Sequence, residues 1–180
     1  GKKPLKGLPA SFGTDDEVET LDITCEDPVL GLQVILSYSV FEKENVITRS
    51  VRLHNTGSQH LKIEKVYSAC LDMDNEDFEM LTLQGAWARE RHIQQGKIRY
   101  GKQMVSSVRG ESSHQQQPFL ALVTPGTSQQ QGKVYGMHFV YSGNFIGQAE
   151  LSQFDSIRAV MGINQEEFCW NLKEDQEFQA

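Results

Sequence analysis

The chain has 180 residues, about the length of one ordinary domain, and a folded chain of that size buries about 70% of its unfolded surface. Seventeen Lys and Arg against 24 Asp and Glu leave a net charge of −7, which argues against nucleic acid or an anionic membrane as partner, because phosphate affinity is carried by clustered cations. At 38% hydrophobic and 23% charged the composition is that of a globule, and no apolar run approaches the roughly 20 residues of a membrane span.

The opening Gly1-Lys2-Lys3-Pro4 lacks the apolar stretch of a signal peptide. From there a period of two dominates. Leu32, Val34, Leu36, Tyr38 and Val40 alternate with Gln33, Ile35, Ser37, Ser39 and Phe41, a half-buried strand over Gly31–Phe41. Asn45–His54 continues the pattern after the polar turn Glu42–Asn45, so the pair reads as a hairpin. Asn55-Thr56-Gly57-Ser58 is a second turn. A third strand is expected over Leu61–Met73, interrupted by Lys65. Further strands are expected at Phe78–Gln84, Phe119–Thr124, Lys133–Ser142, Phe145–Phe154, Ile157–Met161 and Phe168–Leu172. Turns are expected at Pro125-Gly126-Thr127, Ser142-Gly143-Asn144 and Gly162-Ile163-Asn164. No window shows a capped 3.6-residue period. The fold class expected is all-β, one antiparallel β-sandwich domain over 1–180. Two polar stretches, Gly85–Gln103 and Ser106–Pro118, read as long loops, which in compact domains are usually functional or covered by a partner.

Cys25, Cys70 and Cys169 are odd in number and lack metal-site spacing, so neither metal nor other cofactor is expected. The apolar alternation around Cys25 and Cys169 predicts buried, reduced thiols. Together with the absence of an Asn-x-Ser/Thr sequon this points to a bacterial-type cytoplasm.

Four constellations carry possible chemistry. The acidic run Asp72–Glu79 fails the calcium-loop template, with Asp77 in place of the turn glycine and Leu83 in place of the last Glu. It reads as a solvated turn rather than a metal site or a glycosidase acid/base pair. Trp87, Arg89, Glu90 and Arg91 have the chemistry of sugar recognition, an indole to stack on a pyranose and charges for its hydroxyls; the alternative is a structural Arg–Glu pair over a packed indole. Ser112, Ser113 and His114 invite a nucleophilic reading, but adjacent Ser and His rarely face each other and no nucleophile elbow is present. An anchored, hydrogen-bonded loop is expected there. His54, His60 and His138 stand alone and read as structural or exposed.

Eight short motifs then occur in order. They are Leu8-Pro9-Ala10, Glu19-Thr20-Leu21, Leu36-Ser37-Tyr38, Ile47-Thr48-Arg49-Ser50, Gly85–Arg91, Ser112-Ser113-His114 with Pro118-Phe119, Tyr141–Phe145, and Gly162-Ile163-Asn164. The set resembles the amino-terminal domain of bacterial-type α-galactosidases of glycoside hydrolase family 36, from about Leu8 to Phe178. The resemblance implies a supersandwich of the galactose-mutarotase-like type that precedes a (β/α)₈ barrel. It implies a parent enzyme that releases terminal α-linked galactose from sugars such as melibiose and raffinose with retention. Retention needs two carboxyl groups about 5 Å apart, and the family keeps both, as aspartates, on the barrel.

On this reading the chain is an excised piece, without catalytic residues and inactive alone. It packs on its barrel and supports a homo-oligomer. Trp87, Arg89, Glu90, Arg91, Ser112, Ser113 and His114 are the candidate surface towards the barrel, the substrate or another subunit. The rivals are a free-standing carbohydrate-binding module with Trp87 as platform, and a small hydrolase using Ser113 and His114.

Overall fold

The computed structural model describes residues 1, 2, 5 and 10–180; the Leu8-Pro9 part of the first motif lies outside the described residues. The described residues contain strands and turns and no helix. The chain divides into two compact units, one made of Gly1–Ser68 with Phe168–Ala180 and one of Ala69–Glu167.

The first unit is a four-stranded antiparallel sheet. β1 (Glu19–Asp27), β2 (Leu32–Phe41) and β3 (Val46–Asn55) follow one another by hairpins. A short ribbon is formed by β4 (Leu61–Ile63), which pairs with β13 (Trp170–Leu172). β14 (Glu177–Gln179) closes the sheet against β3. The register Leu32↔Asn55, Val34↔Leu53, Leu36↔Val51 puts the apolar positions of β2 and β3 on one face. Leu61, Ile63, Leu172 and Phe178 complete that core, and burial of such side chains is what holds the ribbon on. Phe178 also meets Trp170, ring centroids 5.2 Å apart. Asn55 is fully buried and fully used: its Nδ2 donates to the carbonyls of Gln59 (2.7 Å) and Leu172 (3.0 Å), and its Oδ1 accepts from the Gly57 amide. Gly31 sits at φ +66° against the Gly57 backbone, where a Cβ would meet Gly57 Cα at 2.6 Å.

The second unit is a two-layer sandwich. One sheet runs in the order β10 (Val134–His138), β9 (Gln116–Val123), β6 (Glu79–Ala86), β7 (Arg89–Lys97). The other runs β11 (Phe145–Leu151), β12 (Ser156–Ile163), β5 (Tyr67–Asp74), with β8 (Gly101–Ser106) beside β11. Alternate residues from both layers interdigitate: Met80, Leu120 and Leu122 from the first, Phe145, Ala149, Ile157, Ala159 and Met161 from the second, with Phe78 and Val105. The pairs β1–β2, β2–β3, β3–β14, β4–β13, β6–β7, β6–β9, β9–β10 and β11–β12 are antiparallel, and an isolated parallel bridge joins Tyr100 to Leu151.

Several expectations change. Gly85–Gln103 is not a loop: it holds the end of β6, the whole of β7 and the start of β8. The Leu61–Met73 strand is two strands, β4 and β5. Gly162-Ile163 is not a turn but the end of β12, paired with Phe145 and Ile146. β1 and β14 are strands in stretches that carried no strand assignment. Cys25 and Cys169, expected buried, are exposed, as is Cys70. β1 is a sheet edge with solvent on both faces, so alternation along it does not bury the thiol.

Candidate functional site

β6 and β7 form a hairpin in which Ala86 pairs with Arg89, leaving Trp87-Ala88 as the two-residue tip. Gly85 is required in this tight ribbon, because a Cβ there would strike the Arg89 carbonyl oxygen and lie 2.8 Å from Glu90 Cα. The register slips between Gln84 and Ala86, and both Ala88 (φ 61°) and Arg91 (φ 59°) take left-handed backbone that non-glycine residues rarely adopt. The Glu90 carboxylate accepts the Ala88 amide at 2.9 Å and so holds the tip. Trp87 is 84% exposed at the tip, and Arg89, Glu90 and Arg91 are exposed beside it. The indole is therefore not packed beneath an Arg–Glu pair.

The loop from Ser107 to Gln115 is anchored beside that hairpin. Ser107 N donates to Phe145 O (3.0 Å), Gly110 N to Asn144 Oδ1 (2.6 Å) and Ser112 N to Ser142 O (2.8 Å). Gly85 N donates to Gln115 O at 3.3 Å, and Gln117 Nε2 donates to Ser113 O at 3.4 Å. Asn164, 3% exposed, ties the arrangement from below: its Nδ2 donates to the carbonyls of Ser107 (3.2 Å) and Phe145 (3.3 Å), and its Oδ1 accepts from Glu166 N. Four motifs scattered over 80 residues of sequence are thus joined by hydrogen bonds. Ser113 Oγ accepts from the Gln115 amide (3.3 Å), a turn-stabilising bond, and His114 is exposed.

On the outer face of the sheet a shallow depression of about 410 Å³ is lined by Leu83, Glu90, Arg91, Gln117, Phe119 and His138. Glu90 and Arg91 were expected at a site; Gln117, Phe119 and His138 were not, because only the β9–β10 register places His138 opposite Phe119. A separate open depression of about 510 Å³ lies in the first unit between the Asp27–Gly31 turn and residues 56–59. Its Asp27 carboxylate is already used, accepting the amides of Val29 and Leu30.

The acidic run is dispersed onto separate partners. Asp72 receives a two-pronged bond from Arg158, Nε and Nη2 each at 2.7 Å; this bonding holds the Asp72 carboxyl below the ordinary carboxylate range and raises the guanidinium. Glu76 takes Lys133, whose ammonium is raised by the same bond, and Asp77 takes Lys97. Among the described residues no group of three His, Cys, Asp or Glu is placed to hold a metal.

A family model described as the glycosyl hydrolase family 36 N-terminal domain matches residues 1–173. The α-galactosidase AgaA of Geobacillus stearothermophilus is 46% identical over 181 aligned residues, covering 100% of this chain and 25% of that protein. α-Galactosidase 1 of Pediococcus pentosaceus is 44% identical over 181, with the same coverage. The crystal structure of AgaA superposes with a TM-score of 0.97 over 99% of this chain, and that of the Lactobacillus brevis α-galactosidase with 0.96. The chain spans a quarter of the length of these relatives. It belongs to the glycosyl hydrolase family 36 N-terminal domain family.

Proposed function

We propose that this chain is the amino-terminal scaffold of an α-galactosidase, whose reactive groups reside on a catalytic barrel elsewhere in the polypeptide. The observation that carries this reading is the match of the whole chain, at 46% identity, to a quarter of an enzyme named as an α-galactosidase. The parent would release terminal α-linked galactose from sugars such as melibiose and raffinose with retention, in a bacterial cytoplasm and as a homo-oligomer. Variants of AgaA have been crystallised in complex with stachyose and with raffinose, which supports that substrate class. The anchored end of the sandwich, with Trp87, Arg89, Glu90, Arg91 and Ser112–His114, is the surface offered to the barrel or to another subunit. The test compares an aryl α-galactoside incubated with the full-length polypeptide and with residues 1–180 alone. Turnover by the former only is expected; hydrolysis by the purified 180-residue chain overturns the assignment of chemistry to the barrel.

A second reading has one observation in its favour. Trp87 stands free in solvent and a depression with an aromatic wall, Phe119, and four polar side chains lies on the same sheet. That is the make-up of a carbohydrate-binding face. Titration with galactose or raffinose decides: saturable binding lost in Trp87→Ala favours the module, and a flat titration removes it.

A further inference from the structure

We draw no further inference here: the strongest candidate, the depression on the outer face of the β10-β9-β6-β7 sheet lined by Leu83, Glu90, Arg91, Gln117, Phe119 and His138, belongs to the carbohydrate-binding reading already described, and in a chain that spans a quarter of its relatives' length nothing in the structure shows what covers it.

Discussion

Asn164 shows how one side chain can place a surface it never reaches. It is buried, makes three hydrogen bonds, and holds the backbone at Ser107 and Phe145 on which the Ser112–His114 loop depends. Asn164→Ala removes the bonds to the Ser107 carbonyl and the Glu166 amide and leaves the Phe145 carbonyl with the Ser107 amide alone, a cost of about 1–3 kcal/mol. The expected outcome is a lower midpoint in urea and faster hydrogen exchange at the Gly110 and Ser112 amides, with the β9 core amides unchanged until global unfolding. Gly85→Ala acts on the other half of the site. Its Cβ meets backbone rather than a yielding side chain, so the hairpin must open. A changed near-ultraviolet signal from Trp87 at unchanged far-ultraviolet strand content is expected. In the sequence, both residues were visible as motif members, Gly85 in Gly85–Arg91 and Asn164 in Gly162-Ile163-Asn164. Their roles were not visible, because a hydrogen bond from Asn164 to Ser107 spans 57 residues and leaves no local periodicity.

At the scale of elements, strands with one buried face were legible and strands without one were not. β2 and β3 alternate in sequence with one face towards the core, and β9, β11 and β12 are buried over most of their length as short apolar runs, so hydrophobic pattern announces them. β7 has solvent around every residue and Ile93 as its one large apolar side chain within Arg89–Lys97, so nothing in its composition separates it from a loop. β1 does alternate, with Leu21, Ile23 and Cys25 between Thr and acidic positions, but as a sheet edge it buries neither face, and Cys25 is exposed. Between elements, the Arg158–Asp72 pair clips β12 to β5 on an exposed face. The Asp72 carboxyl is lowered in the fold, so its contribution is present above the unfolded value of about 4 and disappears as pH falls through the folded value. Asp72→Asn therefore lowers the thermal midpoint slightly at about pH 7 and less at acid pH, as the folded carboxyl takes up its proton. An equal shift at both pH values in differential scanning fluorimetry would show that the pair is held by something other than ionisation.

At the scale of the molecule, the two units differ in how far apart in sequence their partners lie. The second unit is one continuous stretch, Ala69–Glu167. The first is closed by residues from both ends of the chain, with β14 returning to β3 and Arg52 meeting Glu177 across 125 positions. Contacts of large sequence separation form late, because the loop entropy is lost before the contact rewards it. Pulsed hydrogen-exchange labelling during refolding is expected to protect β11 and β12 before β3 and β14; simultaneous protection would mean the units do not fold separately. The all-β class and the antiparallel hairpins followed from local pattern alone. The division at Ser68 and Phe168 did not, since it depends on which distant strands find each other.

The chain holds two tryptophans, and each unit has one. Trp87 stands in water at the hairpin tip, whereas Trp170 lies against Phe178 in the first unit. Trp170 is 46% exposed against 84% for Trp87, so Trp87 should emit further to the red and be quenched more readily by a dissolved collider. A Trp87→Phe protein would report the first unit alone, and a Trp170→Phe protein would change hue when anything lands on the tip, which equips this scaffold with its own pair of optical labels.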